Sequence, residues 1–412
     1  MSHSLFRPAS LAVLMLGLAA APWALAHPSL VRSSPAAGAT VAPANQIELQ
    51  FSERVLPRAT RIELRMAHGR LQMAIPTASQ QVSADGHTLR AGFATPLSAG
   101  EYHLQWRAVG QDSHPITVVD ELSPYGLRLA LYLLSMLLFG RLLFVRPALP
   151  RGIFLLLTAG ALALVGVDAL ARVSSLLGLP AADIDRDTAI WFATGTPVGV
   201  ATTLRALALL LAFVLLLPTA TVRGARRLAL LVLAAAALGS LAWNGHAVAG
   251  DGLAGDLRLS AGIVHLLAAG TWVGAIAAFL QLALRRQGPG LRHRTHQLWK
   301  AAHRFALPGT AIVGLLAMTG TYSYVDLGGS LHTLTGTAHG RWLLFKLGLV
   351  AAMLLLAALH RWRLVPALAV AIHAGWQPRP LRSLRRSLAC EATLALLVLA
   401  CVAVLGTLDP LA

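Results

Sequence analysis

The stretch Ala24-Leu25-Ala26-His27-Pro28 decides where the rest of the chain folds, because it has the features of the end of an export signal. Arg7 and an apolar run from Leu11 to Ala21 precede it, and Ala24 and Ala26 have the small-residue spacing that signal peptidase recognises. The apolar run is too short for a permanent membrane anchor. We therefore predict a signal peptide over 1–26, with cleavage after Ala26 and export of the chain that follows.

The composition of the 412-residue chain is typical of a membrane protein, since 56% of its residues are hydrophobic and only 12% are charged. Its formal net charge of +17 does not indicate nucleic acid binding, because roughly half of its 34 lysines and arginines lie in four short segments between or beside apolar runs. Cys390 and Cys401 lie too far apart along one predicted helix to form a disulfide. The composition thus predicts lipid as a partner and excludes nucleic acid.

Eight apolar runs follow Ser123-Pro124, and each is close to the ~20 residues that a membrane-spanning helix needs. They cover 126–145, 152–171, 198–217, 228–247, 262–284, 305–324, 342–360 and 389–408. If the signal peptide exports the segment before them, the arginine-rich connections fall on the cytoplasmic side, as the positive-inside rule requires. We expect an α-helical membrane domain of eight transmembrane helices, and we expect the short apolar piece near Pro366–Ala374 to lie at the membrane surface.

Residues 27–122 have the alternation of polar and apolar side chains that is typical of half-buried strands. The alternation is clearest in Ile47–Phe51, Arg61–Met66 and Tyr102–Trp106. Turn residues separate these runs, as in Ala84-Asp85-Gly86. We expect a small all-β sandwich or barrel, of the cupredoxin-like or immunoglobulin-like kind, that folds on its own core.

The histidine that cleavage would expose is a candidate copper ligand. An N-terminal histidine offers its α-amino nitrogen and a ring nitrogen to one metal, and nitrogen-rich tetragonal coordination suits Cu(II). Asp112 and His114 lie two residues apart, so on an extended segment both point to the same side and could complete the site. Asp85 and His87 have the same spacing, but they lie in a glycine turn where the aspartate has a conformational role. The alternative is that His27 follows the cleavage site by chance.

Several motifs resemble those of two copper resistance families. Resemblance to CopC, a periplasmic copper-binding family, lies in His27–Gly38, Phe51-Ser52-Glu53, Gly100–Arg107 and Asp112–Pro115. Resemblance to CopD, its membrane partner, lies in Asn244-Gly245-His246, His265–Gly274, Arg304-Phe305, Thr319-Gly320, Lys346 and Arg386 with Glu391. The whole chain therefore resembles a CopC–CopD fusion, with a CopC-like domain over 27–122 and a CopD-like domain over 123–412.

The resemblance to CopC implies a Cu(II) site formed by His27, Asp112 and His114. The chain departs from that family in two respects. The methionine-rich Cu(I) loop has no counterpart, because Met66 and Met73 are the only methionines of 27–122, and we expect no Cu(I) site in this domain. The last strand, after Asp112 and His114, is missing or short, because the chain runs almost directly into the first membrane helix.

In the membrane domain, His246 ends the fourth predicted helix and His265 lies in the first turns of the fifth, so both are expected near the outer face. Ionisable residues within membrane helices usually line a polar path or pair with one another, and the outer halves of the predicted helices contain three: Asp168, Arg205 and Lys346. The functional interpretation is an outer cavity in which His246 and His265 receive copper. The alternative is a structural ion pair of Asp168, with both histidines at the interface. We interpret Glu391 as an N-terminal cap of the last helix.

Together these features predict a copper-binding membrane protein, and no enzyme, that captures Cu(II) outside the inner membrane and moves copper across it. The resemblance implies import into a bacterial cell for copper homeostasis, with a periplasmic copper donor protein as a further partner. Two alternatives stay open. The first is a periplasmic copper reservoir or chaperone with a membrane anchor, and the second is a membrane redox protein whose haem is bound by His246 and His265. An absorption spectrum tests for haem, and copper uptake by vesicles separates transport from storage.

Overall fold

A computed structural model of the chain contains a domain of β-strands followed by a bundle of helices. The residues that it describes are 30–36, 39, 44–68, 71–75, 77–97, 101–109, 123–144, 151–177, 181–218, 222, 224–244, 252–284, 291–326, 328–373, 378–406 and 408. The strands of the β domain are β1 (Leu30–Ser34), β2 (Gln46–Phe51), β3 (Arg61–His68), β4 (Leu71–Ile75), β5 (Ser79–Val82), β6 (Thr88–Gly92) and β7 (Glu101–Arg107).

The strands form two antiparallel sheets, ordered β1-β2-β6-β5 and β4-β3-β7. Because side chains alternate between the two faces of a strand, each sheet turns one apolar row inward. These rows meet in a core that includes Ile47, Leu49, Ile62, Leu64, Leu89 and Ala91. The three strands predicted from the alternation, and the all-β sandwich, are confirmed.

The side chain of Gln80 on β5 joins the two sheets. Its amide nitrogen donates to the carbonyl oxygen of Ile62 at 3.0 Å, and its carbonyl oxygen accepts from the backbone nitrogen of Ile62 at 3.3 Å. Strand β4 pairs with β3 only from Leu64 onward, so it does not reach Ile62. Gln80 therefore satisfies backbone groups that no strand covers on that side.

The helices after the β domain are α1 (Ser123–Phe144), α2 (Arg151–Leu177), α3 (Arg186–Gly195), α4 (Pro197–Leu216), α5 (Gly224–Gly239), α6 (Gly252–Leu284), α7 (Leu291–Asp326), α8 (Leu331–Gly336), α9 (Ala338–Leu359), α10 (Val365–His373) and α11 (Pro378–Leu405). A 3₁₀ segment, Ser240–Asn244, extends α5, and a π-helical segment, His360–Leu364, joins α9 to α10. In the described part of the chain, eight spans are long and apolar enough to cross a membrane. The predicted number of membrane helices is confirmed.

Several of these helices begin earlier than their apolar runs. Helix α6 begins at Gly252 and α11 at Pro378, about ten residues before the start of the hydropathic signal. A polar extension keeps its backbone hydrogen bonds within the helix, so the helix continues where the apolar run ends. The prediction that His265 lies in the first turns of its helix is therefore wrong, since it lies roughly 20 Å from the start of α6.

The segment predicted at the membrane surface, near Pro366–Ala374, continues the seventh long helix as far as His373. Helix α10 continues α9 through the π segment, and its Leu368 and Ala371 are buried. Leu368 packs in one cluster with Leu298 of α7 and residues of α11. The segment is too short to span a membrane alone, but it lengthens the seventh span to Ala338–Ile372.

Helices α1 and α6 approach each other closely because glycines face each other at their crossing. A Cβ atom added at Gly140 would lie against the carbonyl oxygen of Gly270 and the Cα atom of Gly274. No side chain fits in this space, so the two backbones are in contact. The main core of the bundle lies on both sides of this crossing, with Met136, Leu138, Phe139 and Leu142 of α1 buried in it.

Arginines bind the carbonyl ends of helices at the end of the bundle far from the β domain. Arg151 Nε donates to the carbonyl oxygen of Leu216 at 2.8 Å, and Arg227 Nη2 donates to that of Leu142 at 2.8 Å. Arg226 Nε donates to the carbonyl oxygen of Leu215 at 2.8 Å. These carbonyls have no partner within their own helices, and the negative end of the helix dipole favours a cation there.

The β domain packs on the opposite end of the bundle. Leu56, Ala59 and Val109 of the β domain form one buried cluster with four helix residues: Val173, Leu176, Phe192 and Val198. The guanidinium of Arg58 lies over the ring of Trp191 on α3, 5.7 Å from its centroid. Asp185 caps α3 by accepting from the backbone nitrogen of Thr188 at 2.8 Å, and hydrogen bonds from Thr188 lower the pKa of this carboxyl.

Candidate functional site

The predicted Cu(II) ligands His27, Asp112 and His114, and also His246, lie outside the described residues. The structure describes the chain close to three of them. Strand β1 begins at Leu30, three residues after His27, and β7 is followed by Ala108 and Val109, three residues before Asp112. Three residues of extended chain reach roughly 10 Å at most. The positions of Leu30 and Val109 therefore limit where these ligands can lie.

Leu30 and Val109 lie at the same end of the sandwich. Leu30 pairs with Phe51, whose ring packs edge to face on Trp106 with 5.3 Å between the ring centroids. Three residues after Trp106, the carbonyl oxygen of Val109 accepts from the backbone nitrogen of Leu56 at 2.8 Å. Val109 is fully buried, in the cluster that joins the β domain to the bundle. Val109, three residues before Asp112, therefore lies where the β domain meets the helices.

The second Asp-x-His pair has the conformational role that the sequence predicts. Asp85 Oδ1 accepts from the hydroxyl of Ser83 and, at 3.1 Å, from the backbone nitrogen of His87. These hydrogen bonds, that from Ser83 first, lower the pKa of the Asp85 carboxyl. Gly86 has a φ of +79°, which favours glycine. The aspartate thus fixes a tight turn before β6.

A cavity of about 280 Å³ lies between six helices at the β-domain end of the bundle. We call it the proximal cavity. Among its lining residues are the polar side chains of Arg128, Tyr132, Asn244, His265, His339 and Lys346. Two of the membrane residues predicted to lie together, His265 and Lys346, are brought together here. Sequence reasoning missed His339, because it lies at the polar start of α9, before the apolar run.

A threonine fixes the ring of His265 in this cavity. The Thr319 hydroxyl donates to the carbonyl oxygen of Leu315 at 2.7 Å and lies 2.8 Å from Nδ1 of His265. Because the hydroxyl proton is used by Leu315, Nδ1 carries the hydrogen and donates it to Thr319. The lone pair of the neutral ring is then on Nε2, the nitrogen that can bind a metal.

Arg205 supports the chain that leads to His246. Its side chain is fully buried, with Nε 2.9 Å from Oγ of Ser240 and Nη2 3.3 Å from Oδ1 of Asn244. Asn244 is two residues before His246 and lines the proximal cavity. Asp168 instead forms an ion pair with Arg172, one turn later on its own helix, at 2.8 Å. Asp168 thus has the structural role that the sequence left open.

The proximal cavity is positively charged. Arg128 and Lys346 line it, and none of its described lining residues is acidic. Arg128 Nη1 donates to the carbonyl oxygen of Gly406, at the end of α11. A bare divalent cation would be repelled by these two charges, whereas an anionic ligand on the metal would reduce this repulsion.

The interpretation of Glu391 as a helix cap is wrong. Helix α11 begins at Pro378, so Glu391 lies in its middle, where the backbone groups are already paired. Its side chain is buried and accepts from Nε1 of Trp272 at 3.1 Å. It lines a second cavity, of about 480 Å³, at the other end of the bundle, which we call the distal cavity. The hydropathy of the sequence could not predict this cavity, because the cavity is formed by residues of different helices.

Comparisons with known proteins match most of the chain in three parts. The CopC domain model matches residues 30–118, the N-terminal domain model of copper resistance protein D-like proteins matches 120–256, and the copper resistance protein D model matches 299–405. The crystal structure of PcoC, a methionine-rich copper resistance protein from Escherichia coli, is 34% identical, covers 22% of this chain and 92% of that chain, and gives a TM-score of 0.21.

Two relatives match different parts of the chain. Copper resistance protein D of Pseudomonas syringae pv. tomato is 35% identical over 218 residues, which are 53% of this chain and 70% of that protein. Copper resistance protein C of Xanthomonas campestris pv. juglandis is 39% identical over 115 residues, which are 27% of this chain and 91% of that protein. The chain therefore belongs to the copper resistance protein D family and carries a copper resistance protein C domain before its helices, as a CopC–CopD fusion.

Proposed function

We propose that this protein captures Cu(II) with its β domain outside the inner membrane and moves copper inward through its helical bundle. The names of its relatives, copper resistance proteins C and D, support copper as the cargo. One structural observation supports the coupling of capture to transport. The β domain packs on the end of the bundle where the proximal cavity lies. In this proposal, residues 1–26 form the signal peptide. Residues 27–122 form the domain that captures copper, and residues 123–412 form the domain that transports it.

In the capture step, the α-amino group and ring of His27 bind Cu(II) together with Asp112 and His114. Leu30 and Val109, which lead to these ligands, lie at one end of the sandwich, and this supports a shared site. Val109, three residues before Asp112, lies at the contact of the β domain with the bundle. Copper released there would travel a short distance to the proximal cavity, whose lining includes the imidazole of His265.

The capture step is tested by the state of the N-terminus. We expect a chain that begins at His27 to bind one Cu(II), and the same chain with one preceding glycine to bind at least tenfold more weakly, because the amine becomes an amide. Affinity should also fall as the pH drops through neutrality, since the amine, with a reference pKa of about 7.7–8.0, must lose its proton. Titration against a competing chelator measures both effects.

Asp85 and His87, in the turn before β6, provide the matched control for the side-chain ligands. Replacing Asp112 and His114 by alanine should weaken Cu(II) binding, whereas replacing Asp85 and His87, which have the same spacing, should not. Equal affinities with and without the preceding glycine would show that His27 is no ligand. Loss of binding in the Asp85 and His87 variant alone would assign the site to the turn.

The transport step is tested by replacing His246 and His265 together with alanine. We expect copper accumulation in cells at limiting copper to fall to the level of cells without the gene, while Cu(II) binding by the β domain stays unchanged. Uptake equal to that of the unchanged protein would exclude both histidines from the path. Copper binding without any uptake by the unchanged protein would favour a reservoir with a membrane anchor.

A further inference from the structure

Glu391 in the distal cavity belongs to a series of polar contacts that joins three structural elements. Its Oε1 accepts from Nε1 of Trp272 on α6 at 3.1 Å, and its Oε2 lies 3.4 Å from Nδ1 of His360 in the π segment. Nε2 of His360 lies 2.8 Å from the hydroxyl of Ser387, one turn before Glu391 on α11. Carboxylate, imidazole and hydroxyl are thus joined in one line.

The charge of this carboxylate is balanced by no permanent cation in the described part of the chain. Only 3% of Glu391 is exposed, and its one ion-pair partner there is His360, which is charged only when protonated. The titratable residues that line the cavity are His360, Arg361 and Glu391. Arg361 is directed elsewhere, since its Nη1 donates to the carbonyl oxygen of Ala306 at 3.3 Å and to Oγ1 of Thr310 at 3.0 Å.

An ionised carboxylate is costly in this setting, because it is buried and has no fixed cation beside it among the described residues. The cost is avoided when the carboxylate and the imidazole hold one proton between them. Asp168 provides the contrast within the same bundle, since its partner Arg172, at 2.8 Å, is always charged. Asp168 therefore has a permanent counter-charge, whereas Glu391 has none among the described residues.

The backbone at His360 differs from an ordinary helix. Residues His360–Leu364 form a π-helical segment within a long membrane span, and Val365 N–H donates to the carbonyl oxygen of His360. Such segments are rare and occur often at functional sites, because they change the direction of the side chains. In this case the segment carries the imidazole that faces Glu391.

The distal cavity lies below the proximal cavity along the same helices. Trp272 lies seven residues after His265 on α6, roughly 10 Å further along the helix axis. On α9 and α11, Met353 and Ala395 lie between the residues of the two cavities and pack with Ile276 in an apolar cluster. An ion that moves between the cavities must pass this cluster and arrives beside Glu391.

We propose that Glu391 and His360 form a proton-binding site that exchanges one proton with the far side of the membrane in each cycle of cation movement. The coupling to copper rests on the proposed function, whereas the proton site does not. The proton leaves the carboxylate–imidazole pair for the water of the distal cavity when a cation approaches, because two positive charges compete for one buried carboxylate. It returns by the same route after the cation has left, and no electron is transferred.

The proton site is tested without copper, on the full chain in lipid nanodiscs. Infrared difference spectra between acidic and alkaline pH should contain a carboxylic acid carbonyl band that disappears in Glu391→Gln. Asp168→Asn is the matched control and should leave this band in place. His360→Gln should move the midpoint of its titration to higher pH, because the carboxylate loses the one ion-pair partner that it has among the described residues.

If Glu391→Gln does not fold, Trp272→Phe provides the second variant. It removes the hydrogen bond to Oε1 and should shift the frequency of the band without abolishing its titration. A wild-type spectrum with no titrating band, or a band that neither Glu391→Gln nor Trp272→Phe alters, overturns the proposal. Cu(II) that binds to a chain without His27, Asp112 and His114, and is lost in Glu391→Gln, also overturns it, because the pair is then a metal site.

The coupling is tested in proteoliposomes by copper uptake at different pH values on the far side. We expect uptake by the wild type to change at least tenfold across the titration of the band, and uptake by Glu391→Gln to be independent of this pH. A titrating band together with no copper uptake by the wild type would refute the proposed function and leave the proton site standing. Equal pH dependence in both proteins would refute the coupling.

Discussion

At the scale of single residues, hydrogen bonds fix the orientation of side chains that line the proximal cavity. His265 can carry its hydrogen on either nitrogen, and Thr319 decides between them because its own hydroxyl proton is used by Leu315. Arg205 similarly fixes Asn244, next to the segment of His246. Partners of this kind set the orientation of metal-binding histidines in general.

Replacing Thr319 with valine should therefore impair copper movement without unfolding the protein. Valine has nearly the same shape but cannot accept the hydrogen of Nδ1, so the tautomer and orientation of His265 are released. We expect a loss of roughly 10–100-fold in copper uptake, as for other partners of metal-binding histidines. Uptake by proteoliposomes measures it.

Thr271 provides the control for this variant. Its hydroxyl also donates to a carbonyl oxygen one turn earlier on its helix, that of Leu267 at 2.8 Å, but no histidine contact to it is found among the described residues. Thr271→Val should leave uptake within twofold of the wild type. An equal loss in both variants would mean that the threonines act on helix stability and not on His265.

At the scale of elements, the close crossing of α1 and α6 holds the bundle together. The backbones touch at Gly140 and Gly274, so a larger residue on either helix must separate them. Helix α6 also carries His265 and Trp272, one in each cavity. A shift of α6 at this crossing would therefore move both sites.

Gly140→Ala should destabilise the bundle by about 1–3 kcal/mol, the usual cost of an overpacked core. Thermal unfolding in detergent, followed by loss of the monodisperse peak in size-exclusion chromatography, measures the effect. Gly166 on α2 is the matched control, because a Cβ atom added there meets nothing within 4 Å. Gly166→Ala should be neutral or stabilise by about 0.5–1 kcal/mol, since alanine favours the helix. Equal stability of both variants would contradict the close crossing.

At the scale of the whole molecule, the two domains are held in one arrangement by an apolar cluster and a cation–π contact. Leu56, Ala59 and Val109 pack on the ends of the helices, and Arg58 lies over Trp191. This contact places Val109, three residues before Asp112, beside the bundle. In the proposed function, the fusion of the two domains in one chain makes copper transfer between them intramolecular.

Breaking this contact should slow transfer without affecting capture. We expect the double variant Arg58→Ala, Trp191→Ala to bind Cu(II) with unchanged affinity and to import copper at least tenfold more slowly at limiting copper. Arg90→Ala is the control, because Arg90 pairs with Glu48 on the exposed face of the sheet, 3.2 Å apart. Unchanged import by the double variant would show that copper reaches the cavity through free solution.

The sequence by itself determined the architecture, because its signals are local. Alternation of side chains predicted β2, β3 and β7, apolar runs predicted eight membrane helices, and the Gly86 turn followed from its residue types. Hydropathy could not predict where helices continue in polar sequence, as with the start of α11. Only the tertiary structure placed His265 against Thr319, 54 residues away, and Trp272 against Glu391, 119 residues away. Such pairs depend on how helices cross, and the crossing is decided by packing between segments distant in the chain.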